Sequence, residues 1–400
     1  MVKALPGSMN SPQSRPATTH IAFLGVAQIL VWGGSFFLMA VLADPVVADT
    51  GWPREWVYGA LSVGILVSGV LAPGASRLIS RFGGRTMLAC SGWIIGAGLV
   101  LVALSPSLPV FILAWSVIGL GMTAGLYEAL FASLGHLYGS QARNAIIGVT
   151  LVAGLSTTIT WPLVAALIEH LGWRLTCLVY AGVLAVSIWP LSMAGLPGSQ
   201  QLPVPPQEES RIGRASQPRL FYLIMLIFSL GATIMTAMSV HLLALLQGNG
   251  YSLATAIGFS AIIGPCQVLA RILDILSRNS NAARSTLVSG LLTAVGLLLV
   301  ALAPQVVLLG ILLYGVGNGL RALVRGTLPL MIWSAAEYPL VMGRMARPAL
   351  LCQAATPFLG GYLMELVGAR YTLYCLCGIA TLNAGLVVLL WFELKRWSAR

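Results

Sequence analysis

The sequence predicts an all-α polytopic membrane protein with twelve transmembrane helices in two pseudo-symmetric halves of six. Of its 400 residues, 58% are hydrophobic and 8% are charged, whereas about a quarter of an average soluble domain is charged. The mean hydropathy is +0.90, and the apolar residues gather in runs long enough to cross a bilayer. Motifs of the first half recur in the second. So few charges cannot cover a water-exposed surface, which excludes a soluble enzyme, a disordered chain and a disulfide-bonded scaffold.

The twelve spans follow from the apolar runs, since a transmembrane helix needs about 20 mostly apolar residues. Six runs give one span each: Ile21–Ala43, Trp56–Ser76, Asn144–Ile168, Leu175–Ala194, Pro348–Met364 and Tyr371–Phe392. Three longer runs are each divided into two spans by a short polar or proline-containing segment: Thr86–Tyr127, Leu220–Ala270 and Ser285–Leu320. The first run is too long for the core of a signal peptide, so it is expected to remain as a span.

The distribution of basic residues orients these spans. Most of the 22 Lys and Arg residues fall at the face that carries both termini, and the positive-inside rule makes that face cytoplasmic. The net charge of +11 is therefore attributed to cytoplasmic loops and not to a nucleic-acid partner. We expect a multi-pass protein of the bacterial inner membrane, with this organisation: N-terminal tail 1–19, first six-helix bundle 20–196, cytoplasmic linker 197–218, second six-helix bundle 219–394 and C-terminal tail 395–400.

An internal repeat relates the two halves. The motif Glu-x-x-Gly-x-Arg begins at Glu169 and again at Glu365, and the motif Gly-x-Gly begins at Gly119 and again at Gly315. Both recur at an offset of 196 residues and at the same topological place in each half. An even number of spans per half makes the repeats parallel, related by an axis along the membrane normal.

Twelve spans, parallel six-helix repeats and a central linker resemble the major facilitator superfamily over nearly the whole chain. The segment 78–85 resembles the cytoplasmic loop signature of that family, an acid followed by Arg-x-Gly-x-Arg, with Ser80 in place of the acid. Together with residues 49–55, this loop looks closest to the monocarboxylate-porter-like and oxalate/formate-type branches. The resemblance implies a cytoplasmic gate, to which we assign Ser80, Arg81, Gly83, Arg85 and Asp274.

Charges inside the spans are the main candidates for the mechanism, because each costs about 2.5–3.5 kcal/mol to insert. These are Glu128 in the fourth span and Arg321 and Arg325 in the tenth; the resemblance implies that both spans line a central cavity. The repeat offset places Glu128 at the depth of Arg325. One hypothesis is that Glu128 neutralises one arginine while the other binds a substrate carboxylate or phosphate, with Glu128 also a candidate for proton coupling. The alternative is a structural salt bridge.

Arg271 in the eighth span is a further candidate. In the resembled branches an arginine on this helix is associated with a substrate carboxylate, whereas the alternative is a local gate pair with Asp274. The remaining candidates for contact with a substrate are polar or aromatic residues of the other cavity helices: Gln28, Trp32, Tyr127 and Asn318. His241, near the outer end of the seventh span, is expected at the membrane–water interface.

These features predict a secondary active transporter that works by alternating access on a small organic anion such as a monocarboxylate. Protons are the candidate coupling ion. One alternative is export of a drug-like or toxic compound, and a second is a transporter-like sensor without net flux. No enzyme, metal or nucleotide motif appears, so we expect no catalysis, no cofactor, no metal and no nucleic acid, and a monomer in the lipid bilayer.

Overall fold

The computed structural model describes residues 17–138, 142–196, 218–277, 281–333 and 338–398, and every regular element in these ranges is a helix. Eight helices are long and apolar enough to cross a membrane by length and composition. Two of the eight contain two spans each, and the first and second spans complete the set. The described ranges therefore hold the twelve spans that the sequence predicts.

The helices of the first half give spans one to six in chain order. The first span consists of Thr18–Gly33 and Met39–Thr50, the second is Arg54–Phe82, and the third is Gly84–Ala103. The fourth span consists of Leu108–Gly125 and Tyr127–Tyr138. The fifth consists of Ala142–Ala153 and the first part of Ser156–Gly195, whose second part is the sixth.

The helices of the second half give spans seven to twelve. Their bounds are Pro218–Gly248, Leu253–Ala261 continued by Ile263–Leu276, Ala282–Leu302, Val307–Ile332, and the two parts of Tyr338–Ser398. Residues 197–217, most of the predicted linker, lie outside the described residues.

Two glycines explain the repeated Glu-x-x-Gly-x-Arg motif. Gly172 divides the fifth span from the sixth at φ +75°, and Gly368 divides the eleventh from the twelfth at φ +82°. A side chain disfavours this left-handed region, and glycine does not. The chain reverses direction at these residues without a longer loop, so both halves place glycine at the same point.

Several spans are interrupted near their middle. The first span breaks between Gly33 and Met39, the fourth at Leu126 and the eighth at Ile262. The expectation that the first span ends at Ala43 is wrong, because the helix resumes after the break and continues to Thr50. The extra turns include Asp44, whose carboxylate accepts a hydrogen bond from Arg54 at 2.6 Å. The ion pair with Arg54 neutralises Asp44, the charged residue that ends the first apolar run in the sequence.

The apolar core is one cluster toward one membrane face and two clusters toward the other, and we call this arrangement the forked core. We call the membrane face that carries both chain ends the near face and the opposite one the far face. In the far half of the molecule, one continuous core cluster combines residues of both halves, among them Leu42 and Tyr58 with Leu243 and Ala354. Toward the near face the core divides into two clusters, one confined to residues 24–196 and the other to residues 220–394. Among the described residues, the apolar core is thus shared by the two six-helix halves toward the far face and divided between them toward the near face.

Candidate functional site

The polar face of the tenth span lines a cavity in the second half. Tyr314, Asn318, Arg321 and Arg325 are spaced by three or four residues, and all four face this one cavity, as the helical spacing predicts. Its walls come from the seventh, ninth, tenth, eleventh and twelfth spans. Every lining residue lies between 227 and 387, so the first half contributes none of the described wall.

Arg321 is held in place by its neighbours. Its Nε donates a hydrogen bond to Asn318 Oδ1 at 2.9 Å, which fixes the guanidinium along the helix. Gly231 of the seventh span makes room for this side chain, because a Cβ there would lie 3.3 Å from Arg321 Cδ. Neither Arg321 nor Arg325 forms an ion pair with any residue that the structure describes. Two guanidinium groups therefore face the cavity without a described acid to neutralise them.

Polar side chains of other spans complete the cavity wall. Asn383 of the twelfth span is only 6% exposed, and its Oδ1 has no hydrogen-bond partner among the described atoms. Gln353 of the eleventh span and Ser289 of the ninth face the same space, and the Ser289 hydroxyl donates to the Gly317 carbonyl at 2.7 Å. Neither Asn383 nor Gln353 is among the site residues predicted from the sequence. The available signal was a carboxamide within an otherwise apolar span, which needs a polar partner in the membrane.

Gln28 and Trp32 support the break in the fourth span. The Gly125 carbonyl, just before the extended residue Leu126, accepts a hydrogen bond from Gln28 Nε2 at 2.7 Å. Trp32 Nε1 donates to Gln28 Oε1 at 3.1 Å, and the Trp32 ring lies 5.0 Å from the Tyr127 ring between centroids. The three predicted contact residues thus form one cluster between the first and fourth spans, outside the described cavity wall.

Glu128 follows this break in the helix Tyr127–Tyr138, and its side chain lies outside the described residues. Its predicted approach to Arg325 therefore stays a prediction.

Arg271 joins three spans by hydrogen bonds to oxygen atoms. It is 6% exposed and donates to the Thr150 carbonyl at 2.5 Å, the Gly319 carbonyl at 3.3 Å and Gln267 Oε1 at 3.4 Å. Thr150 belongs to the first half, so Arg271 crosses the interface between the halves. Arg271 is not among the described residues that line the cavity of the tenth span.

The expected pair of Arg271 with Asp274 does not form among the described residues. Asp274 Oδ1 instead accepts a hydrogen bond from the Ser285 hydroxyl at 2.5 Å. The physical reason is that the guanidinium of Arg271 turns toward the carbonyl groups of the fifth and tenth spans.

The predicted gate segment is described only in part. The side chains of Ser80 and Arg81 lie outside the described residues. Gly83 ends the second span at φ +82°, which suits the tight turn that its glycine predicts. Arg85 donates to the Met193 carbonyl at 2.5 Å and so connects the third span to the sixth, within the first half.

The far-face contact between the halves centres on His241. This residue is 1% exposed, and neither ring nitrogen has a hydrogen-bond partner in the described part of the chain. Its ring meets that of Tyr58, and it packs on Gly360 of the eleventh span. The expectation of an interfacial position is wrong, because the seventh span faces the first half there and not the headgroups. A hydrogen bond from the Phe358 amide to the Ser62 hydroxyl, 3.0 Å long, extends the contact.

The fifth and eighth spans cross near the middle of the membrane. Pro265 has no N–H, so it leaves the Ala261 carbonyl without its usual helical donor. That carbonyl accepts a hydrogen bond from the Thr158 hydroxyl of the other half at 2.6 Å. Gly264 allows the close approach, because a Cβ there would lie 2.9 Å from the Gly154 carbonyl oxygen.

Known proteins resemble this chain in sequence. The sequence model of the Major Facilitator Superfamily matches residues 24–321, which is more than half of the chain. Monocarboxylate transporter 6 of Homo sapiens is 29% identical over 168 residues, which make up 40% of this chain and 32% of that protein. The match therefore spans about a third of the length of that relative.

Solved structures share the fold over almost the whole chain. A POT family transporter in complex with 5-aminolevulinic acid has a TM-score of 0.74 at 12% identity, covering 94% of this chain and 96% of that one. A bacterial homologue of the human lysosomal transporter Spinster, inward-facing and unoccupied, has a TM-score of 0.72 at 12% identity, covering 96% and 98%. A mutant of the nucleoside transporter NupG has a TM-score of 0.70 at 11% identity, covering 93% and 99%.

Such low identities show the fold alone. Together with the family match and the twelve spans in two repeated halves, they establish that this multi-pass membrane protein belongs to the Major Facilitator Superfamily of transporters.

Proposed function

We propose that this protein is a secondary active transporter of a small organic anion. The observation that carries the proposal is the pair Arg321 and Arg325, which face one cavity without a described acid. Planar guanidinium groups suit bidentate contacts with a carboxylate or a phosphate. Cations inside a membrane span are costly unless they serve a ligand or a partner.

Alternating access is the proposed mechanism. The bundles 20–196 and 219–394 rock about their interface, with the linker 197–218 between them, and the forked core corresponds to the state open at the near face. Because the described cavity belongs to the second bundle alone, its ligand travels with that bundle while the first bundle opens and closes the exits. Gly83, Arg85 and Asp274 lie at the near-face ends of the spans and are the described members of the proposed gate.

Orientation and substrate class rest on charge and on one relative. The basic residues at the near face support its assignment to the cytoplasm of a bacterial inner membrane, where we propose that the protein acts as a monomer. Monocarboxylate transporter 6 makes monocarboxylates the first anions to test. Protons are the proposed coupling ion, with Glu128 as the candidate carrier because it is an acidic residue within the sequence of the fourth span.

Uptake into proteoliposomes tests the proposal. The full chain is reconstituted, and a panel of radiolabelled organic acids is offered with and without a pH gradient. We expect uptake of at least one acid, loss of most of that uptake in Arg321→Gln and Arg325→Gln, and no change in Arg344→Gln, whose side chain is exposed on the eleventh span. If no acid enters, or if both cavity variants transport at the normal rate, the proposal is wrong.

Export of an amphiphilic compound is the second candidate function, because one wall of the cavity is apolar. Ile227, Phe228 and Met235 of the seventh span face the same space as the arginines, as a ligand with an apolar body requires. Loading the same vesicles from the inside distinguishes export from import. A sensor without transport is excluded by any net flux that the cavity variants abolish.

A further inference from the structure

The cavity of the tenth span contains two positive charges. Arg321 and Arg325 stand one helical turn apart on the same face, and both reach the cavity. Like charges at this spacing repel each other, and the repulsion grows when water is excluded from around them. The pair therefore favours a ligand that brings negative charge to both.

The described wall offers nothing that neutralises these cations. No aspartate or glutamate is among the described residues that line the cavity, and the ion pairs of the described chain all lie elsewhere. Among the described residues, Arg321 donates through Nε alone, to the neutral side chain of Asn318. No described residue accepts a hydrogen bond from the terminal nitrogens of either guanidinium group, so these nitrogens can contact a ligand.

The rest of the wall suits the neutral part of such a ligand. Asn383 presents a buried Oδ1 that has no hydrogen-bond partner among the described atoms, and Gln353 faces the same cavity. Both are uncharged, so they add hydrogen bonds without changing the charge balance. A site with two cations and neutral partners is matched in charge by a dianion, whereas a monoanion leaves one guanidinium uncompensated once the site closes.

We infer that the substrate of this cavity carries two negative charges, as a dicarboxylate or a phosphate monoester does. The inference rests on the proposed function, and it narrows the organic anions to those with one charge for each arginine. The hydrogen bond to Asn318 already holds the Arg321 guanidinium in place for the first negative charge. Arg325 then binds the second charge and so sets the preference for a dianion over a monoanion.

Calorimetric titration of the purified full chain in lipid nanodiscs at pH 7.5 tests this. The probes are succinate, glycerol phosphate and the monoanion monomethyl succinate, which matches succinate except for one charge. We expect at least one of the two dianions to bind about tenfold or more tighter than the monoanion, since one charged hydrogen-bonding contact is worth about that factor. The tighter of the two dianions shows whether the site prefers two separate carboxylates or a single phosphate group.

Variants of Arg325 separate charge recognition from a structural role. Arg325→Gln is expected to bring the ratio of dianion to monoanion affinity close to one, Arg325→Lys to keep most of it, and Arg344→Gln to leave it unchanged. Thermal unfolding of each variant checks that it is folded. Equal affinity of the unmodified protein for succinate and its monomethyl ester overturns the inference and leaves the proposed function standing. If neither dianion binds the folded protein, the inference is wrong, whereas the proposed function is decided separately by the uptake panel.

Discussion

The rings of Tyr58 and His241 meet edge-on at 4.4 Å between centroids, and the two residues belong to different halves of the molecule. Tyr58 lies on the second span and His241 on the seventh, where both are buried in the far-face contact. The Tyr58 hydroxyl and both His241 nitrogens lack hydrogen-bond partners among the described atoms. The contact that closes the far face therefore contains buried polar atoms without a well-formed hydrogen bond to any described residue.

His241→Leu is expected to stabilise the far-face contact. A buried polar group without a partner costs about 1–3 kcal/mol, and an apolar side chain of similar size removes that cost. The free energy of unfolding should rise by this amount, and transport should slow because the far face must open in each cycle. Thermal unfolding and proteoliposome uptake measure the two effects. His170→Leu, at an exposed position, is the matched control; a less stable His241→Leu protein would contradict the prediction.

Gly264→Ala is expected to disturb the crossing of the fifth and eighth spans. A Cβ at Gly264 would lie 2.9 Å from the Gly154 carbonyl oxygen, whereas a Cβ at Gly258, on the same span, meets nothing within 4 Å. Overpacking of this kind costs about 1–3 kcal/mol, so Gly264→Ala should lower the thermal stability and the uptake rate. Gly258→Ala should leave both unchanged. Equal thermal stability and equal uptake in the two variants would show that the fifth and eighth spans can move apart at the crossing without cost.

Arg271→Met is expected to lower the uptake rate without changing the choice of ligand. Its hydrogen bonds tie the eighth span to Thr150 and Gly319, but it does not line the described cavity. The ratio of dianion to monoanion affinity should therefore stay at the value of the unmodified protein, while thermal stability falls. A changed ratio would instead place Arg271 in contact with the substrate, as the family resemblance implies.

Gly368→Ala is expected to destabilise the turn between the eleventh and twelfth spans. Alanine at φ +82° and ψ 165° costs about 1–3 kcal/mol. Gly378, on the twelfth span, has open space around it and is helical, so Gly378→Ala should stabilise the protein by up to about 1 kcal/mol. Opposite shifts in thermal unfolding are the expected result. Equal shifts would show that Gly368 is there for a reason other than its backbone angle.

Helical periodicity and the repeat could be read from the sequence because both are local properties. The spacing from Tyr314 to Arg325 predicts one helix face, and that face lines one cavity. The repeated glycine of the Glu-x-x-Gly-x-Arg motif marks a turn, and Gly368 takes the positive φ that this turn needs. Such features depend on a few neighbouring residues and not on how the helices pack.

Contacts between spans could not be read in the same way. Arg271 and Asp274 are a helical turn apart, yet each bonds to a different neighbouring span. The break at Leu126 occurs in an apolar stretch without proline, and hydropathy does not register it. Asn383 becomes a site candidate only because the helices pack so that it lines the same cavity as Arg321 and Arg325. These relationships are set by the three-dimensional arrangement of the spans.

The forked core has an energetic consequence for the empty protein. In the proposed transport cycle, opening the far face would divide the shared cluster, and each Å² of apolar surface transferred to water costs about 25 cal/mol. Closing the near face brings together two clusters that are each already complete within their own half. Without ligand, the equilibrium between the two states of the proposed cycle should therefore favour the state that is open at the near face. Because burial of apolar surface weakens on cooling, that preference should diminish as the temperature falls.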